Sequence, residues 1–174
     1  MNTSTLIRDA RRQDAEALCA AAREVALIDN ALFVSLPDEF QPHAFKDRIS
    51  EAMLGEGKYL VAERDGKPIA HASLFPIGMK RLAHIARLDM CVHAGYWRQG
   101  LGRILLNDLL NWARVTATLH KVELLVRASN VPAVALYKQT GFLEEGCHRD
   151  RIKLADDAFV DDIAMAILLK PHQS

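Results

Sequence analysis

The sequence carries no charge surplus, few cysteines and no long apolar run, and each shortage narrows its function. Lysine and arginine number 22, and so do aspartate and glutamate. Proteins that grip nucleic acid by its phosphates usually show a basic excess, so no nucleic-acid partner is expected. The three cysteines, Cys19, Cys91 and Cys147, lie far apart without CxxC spacing. Such a sparse, odd set suits reduced thiols in a cytoplasmic compartment, not a disulfide framework. The opening MNTSTLIRDARR lacks the apolar core of a secretory signal, and IAMAILL is too short to span a bilayer. No membrane partner is expected. The seven histidines show no metal-ligand spacing, so no metal is expected.

What remains is an ordinary soluble composition, half of it apolar over 174 residues. That length suits one domain spanning residues 1–174, and no repeat, low-complexity tract or linker divides it. TLIRDAR reads as a first strand, and QDAEALCAAAREVAL as a helix with Asp14 as its N-cap. Residues 29–41 read as a loop. Pro42 then opens a second helix, in which Phe45, Ile49 and Met53 recur at helical spacing, with Gly55 as its stop. KYLVAERDGKPIAHASLFPI reads as a hairpin turning at Asp65-Gly66. HIARLDMCVH is a further strand, followed by a helix from Gly102 to about Leu119 with Leu105, Leu109 and Trp112 on one face. KVELLVRA is a strand, and VPAVALYKQT a helix with Pro132 early and Gly141 at its end. Two closing strands flank a polar turn near Asp156-Asp157. The order β-α-α-β-β-β-α-β-α-β-β predicts a mixed sheet covered by helices.

The chemistry is sought where a strand meets a helix, at CVHAGYWRQGLGRILL. A helix start exposes unpaired N–H groups and carries roughly half a positive charge. Gly100 and Gly102 let an anion approach that backbone, and Arg98 and Arg103 add charge. By itself this joint reads equally as a phosphate cradle or a shaped turn. A P-loop is excluded, because no Gly-Lys-Ser/Thr follows. A dinucleotide fingerprint fits poorly: Leu105 holds its third glycine position, although Glu123 lies where a ribose-binding acid would fall.

A second stretch, RASNVPAVALYKQTGF, follows the next strand. Asn130, Ala133, Leu136, Tyr137, Gly141 and Phe142, taken with the upstream WRQGLG, resemble the signature of the GNAT-type N-acetyltransferase superfamily. The likeness spans the chain in element order and is close over residues 84–145. One departure is Trp97, which stands where that signature has Gln or Arg.

The resemblance implies an α/β fold: a mixed, mostly antiparallel sheet of six to seven strands, about four helices, and a splayed parallel strand pair. It implies acetyl-CoA as cosubstrate and an amine as acceptor, attacking the thioester directly. Met90, Cys91 and Val92 would pair with the pantetheine arm. The N–H groups of Arg98, Gln99, Gly100, Leu101, Gly102 and Arg103 would hold the pyrophosphate. Asn130 and Lys138 complete the coenzyme-binding set. Tyr137 matches the general acid. Asp89 is the first candidate base, with Glu123 and His93 behind it. Cys91 is a poor candidate nucleophile, having no evident base.

For the acceptor, the resemblance points to the loop with Phe33 and Phe40 and to the region from Gly146 to Asp162. Arg127 and Arg149 are candidates for holding a substrate carboxylate. A small amine or amino acid is the preferred acceptor. A protein N-terminus, a polyamine, a non-catalytic acyl-CoA-binding domain and a dinucleotide module stay open, and so does a homodimer.

Overall fold

The computed structural model describes residues 4–28, 32–116, 118–154 and 157–169. Residues 29–31 of the expected loop and Asp156 of the expected closing turn lie outside these.

The chain alternates as β1 (Leu6–Asp9), α1 (Ala15–Ile28), α2 (Pro42–Met53), β2 (Lys58–Arg64), β3 (Lys67–Pro76), β4 (Ile85–Val92), α3 (Leu101–Val115), β5 (Lys121–Arg127), α4 (Val131–Gln139), β6 (Leu143–Lys153) and β7 (Phe159–Leu168). The strands form a seven-stranded sheet in the order β1-β2-β3-β4-β5-β7-β6. Every neighbouring pair is antiparallel except β4 and β5. This is the mixed, mostly antiparallel fold expected.

Side-chain alternation explains the two layers. In β2, Leu60 and Ala62 join a core with Leu105, Leu106, Leu109 and Leu110 of α3 and Tyr137 of α4. Tyr59 and Val61 point the other way, into a smaller core with Leu18 of α1 and Ile49 of α2. Each fully buried leucine contributes about 2 kcal/mol of transfer free energy, so the four leucines of α3 anchor that helix firmly.

Local signals set most boundaries. Asp65 and Gly66 both take positive φ, 52° and 74°, as a two-residue hairpin turn with matching twist requires. Two boundaries differ from the sequence expectation. The helix α3 stops at Val115 rather than near Leu119, with the β-branched Thr116 extended at its C-cap. Asp14 does not cap α1 as expected. Its buried carboxylate accepts from the Arg11 N–H at 2.7 Å and from two nitrogens of Arg8, tying β1 to the helix start instead.

Candidate active site

Between Val92 and Leu101 the chain turns sharply. Arg98 and Gly100 adopt left-handed φ of 61° and 79°, and Gly100 is the N-cap of α3. Trp97 explains its own departure from the expected Gln or Arg. Its indole N–H donates to the carbonyl of Val92 at 2.8 Å, bracing the turn against the end of β4. The first helical bond runs from the Ile104 N–H to the Gly100 carbonyl at 3.2 Å. The backbone N–H groups from Arg98 to Arg103 have no partner among the described residues. They form an electropositive cradle at the start of a 15-residue helix.

The cradle opens onto a gap in the sheet. The parallel strands β4 and β5 pair only from Ile85–Lys121 to Arg87–Glu123. Beyond that point they part, while β3 and β7 still hold their outer edges. A cleft of about 1180 Å³ fills the gap, lined by Asp89, Met90, Cys91 and Val92 of β4, by the turn and α3 start, and by Asn130 and Tyr137. Arg98, Gly100, Leu101, Gly102 and Arg103 line it from the cradle side. Gly102 packs closely here: a Cβ would lie 3.3 Å from Leu136 and 3.4 Å from Met90. Asn130 caps α4 by accepting from the Ala133 N–H at 3.3 Å.

Gln99 and Lys138 lie outside this lining. The Gln99 amide oxygen accepts from Arg64 at 3.0 Å, and the Lys138 ammonium pairs with Glu144 at 2.8 Å.

Asp89 and Tyr137 reach the cleft from opposite elements. Asp89 keeps contact with solvent, yet the crowding of the cleft raises its carboxyl above the usual range, and Arg48 and Arg87 partly offset this. Tyr137 is only 7% exposed, and burial, aided by the Asp89 charge, raises its phenol well above 10. The nearby thiol of Cys91 is pushed up to about 12 by burial, so it is inert as a nucleophile at neutral pH.

His93 is buried against His71, with the Nδ1 of His71 and the Nε2 of His93 3.1 Å apart. Desolvation lowers His71 to about 3, helped by His93, and lowers His93 to about 4 despite a bond to the Pro68 carbonyl. Glu123 is engaged by Arg87 at 3.0 Å. Arg127, offered above as a carboxylate holder, is already bonded to the buried Asp162. Arg149 is exposed on β6 and does not line the cleft.

A family model described as the acetyltransferase (GNAT) family matches residues 10–142. The chain belongs to the GNAT acetyltransferase family. Among curated relatives, the L-amino acid N-acetyltransferase AaaT of Escherichia coli K12 is 29% identical over 92% of this chain and 96% of its own. The N-alpha-acetyltransferase RimI of Mycobacterium tuberculosis H37Rv is 31% identical over 75% and 77%. A GNAT-family acetyltransferase structure from Streptococcus pneumoniae superposes with a TM-score of 0.87 at 27% identity, covering 95% of this chain and 99% of that one.

Several cleft residues of this acetyltransferase escaped the sequence reading. Arg48 and Phe45 come from α2, and Tyr59, His71 and Ser73 from β2 and β3. Strand register assembles them: Tyr59 stands opposite Ser73, His71 opposite Cys91, and Ser73 opposite Asp89. Only the alternation within β2 to β4 hinted that they share a face.

Proposed function

We propose that this protein transfers the acetyl group of acetyl-CoA to the primary amine of an amino acid or another small molecule, by direct attack. One observation carries the reading. A run of unpartnered N–H groups at a helix start opens into a splayed strand pair that also holds a carboxylate and a phenol. Bound acetyl-CoA supplies the activated acetyl thioester. The N–H groups from Arg98 to Arg103 suit its pyrophosphate, and Gln99 contributes through its backbone. Arg98 and Arg103 add positive charge beside them. The unpaired edge of Met90, Cys91 and Val92 suits the pantetheine arm, laid alongside as an added strand. The Asn130 amide, anchored by its capping bond, faces the same arm. Lys138 reaches the phosphates only by giving up Glu144.

The acceptor must lose a proton. At pH 7 this costs about 1 kcal/mol for the α-amine of a peptide, more for that of a free amino acid, whose carboxylate makes it more basic, and about 5 kcal/mol for a lysine-like amine. Asp89 takes that proton, and its raised carboxyl makes it a better base than an ordinary aspartate. Tyr137 keeps its own proton through neutral pH and directs it at the leaving sulfur. Its phenol is a weaker acid than a thiol, so it stabilises developing negative charge chiefly through a hydrogen bond.

Acetylation of a protein N-terminus is the second reading, favoured by the likeness to RimI. Thiol release from acetyl-CoA, measured with amino acids, polyamines and a short peptide with a free N-terminus, tests both. Amine-dependent release with amino acids is the expected result. Release with the peptide alone would select the second reading. Binding of CoA without amine-dependent release would leave a non-catalytic acyl-CoA-binding domain.

A further inference from the structure

Beyond Asp89 the cleft continues beneath α1 and α2, into a compartment that the transfer chemistry does not use. The guanidinium of Arg48, on α2, lies 3.8 Å from the ring centroid of Phe75 on β3. Phe75 stands opposite Arg87 on β4, and Arg87 and Asp89 share one face of that strand, their Cα atoms about 7 Å apart. Both arginines line the cleft, and both act electrostatically on Asp89. Apart from the stacking of Arg48 on Phe75, each has among the described residues a solvent-exposed ion pair, Arg48 with Glu51 at 2.8 Å and Arg87 with Glu123 at 3.0 Å. Exposed pairs of this kind are weak and exchange readily for another carboxylate. Arg127, on the same side of the sheet, is locked to buried Asp162 and cannot serve.

The apolar side of this compartment is aromatic. Phe33, Phe40 and Phe45 line it, with ring centroids 5.3 Å apart for Phe33–Phe40 and 6.4 Å for Phe40–Phe45.

We infer that the acceptor is a free α-amino acid with an apolar side chain. Arg48 and Arg87 hold its carboxylate, Asp89 meets its amine, and Phe33, Phe40 and Phe45 enclose its side chain. The inference rests on the acetyltransferase reading above, and it selects among the acceptors which that reading leaves open. A peptide N-terminus lacks a carboxylate next to its amine, and the second cation of a polyamine would face two arginines.

The test compares L-phenylalanine with L-phenylalaninamide by kcat/KM in the thiol-release assay, each referred to the concentration of its neutral amine, because replacing the carboxylate by an amide also makes the amine less basic. The acid is expected to win by about tenfold to a hundredfold, the range of a charge-assisted bond. In Arg48→Gln and Arg87→Gln the acid-to-amide ratio is expected to fall toward one. The ratio is independent of how much of each preparation is active, so a partly folded variant still reports. Equal use of acid and amide by the unmodified protein overturns the inference alone, and so does a ratio unmoved in both variants. Acetylation of neither compound, nor of any other amine, overturns the acetyltransferase reading and the inference with it.

Discussion

Tyr137 belongs to the packed core and to the lining of the cleft at once. Its ring is buried beside Phe142, with centroids 5.6 Å apart, and belongs to the core under α3. The same burial keeps the phenol protonated, which suits the donor role proposed for it. Tyr137→Phe preserves the ring and removes the donor. Turnover is expected to fall about a hundredfold, the low end of the usual range for losing a positioned proton donor. Affinity for CoA, measured by calorimetry, is expected to stay within about twofold, because the ring remains. An unchanged turnover would remove Tyr137 from the chemistry. Trp97 carries a related lesson. It occupies the position of an expected phosphate-binding side chain, yet its indole braces the turn through Val92. The cradle therefore depends on backbone N–H groups more than on the side chain at that position.

At the scale of elements, the start of α3 is the decisive piece. A Cβ on Gly102 would already lie 3.3 Å from Leu136 and 3.4 Å from Met90, so a larger side chain must displace α4 or β4, or else fill the cradle. Gly102→Leu is expected to weaken CoA binding at least tenfold by calorimetry, while the far-ultraviolet circular dichroism spectrum stays native. Retained affinity would contradict the cradle. This element was readable from sequence because its signals are local: a strand, two glycines, a leucine-rich helical face. The second motif is local as well, and Asn130 caps α4 while Gly141, at φ 99°, ends it. The C-terminal end of α3 was misread because apolar periodicity runs on through Leu119, which is buried outside the helix. Asp14 was misread because its partner, Arg8, reaches it only once β1 lies beside the helix start. Phe33 and Phe40 were singled out from sequence, but the cleft residues of α2 and β3 were not, for the same reason. Arg48 and His71 meet Asp89 and Cys91 only through the packing of α2 and the register of β3 with β4.

For the whole molecule, these buried titratable groups set a pH window for stability. His71 and His93 are held neutral, with folded values of about 3 and 4. In the unfolded chain both bind protons near pH 6.5. Below that pH the unfolded state binds more protons at these two sites, so stability falls as pH drops toward 4, by up to roughly 2.7 kcal/mol per pH unit for the two together, less the smaller opposite contribution of Asp89, whose raised carboxyl takes up its single proton earlier in the fold. Asp14 adds a later step. Burial opposes its ionisation, but Arg8 and the Arg11 N–H outweigh this and depress its carboxyl, so its contribution is lost only as pH falls below about 4. On the alkaline side the thiols of Cys19 and Cys91 are raised by burial. Unfolding lets them ionise at their ordinary pH, so stability also declines above about pH 8.5. The urea midpoint, followed by tryptophan fluorescence, is therefore expected to be flat from about pH 6.5 to 8.5 and to decline on both sides, with the acid limb beginning well above the carboxylate range. A midpoint constant from pH 6.5 down to 5 would mean that the histidine pair is not neutral in the fold.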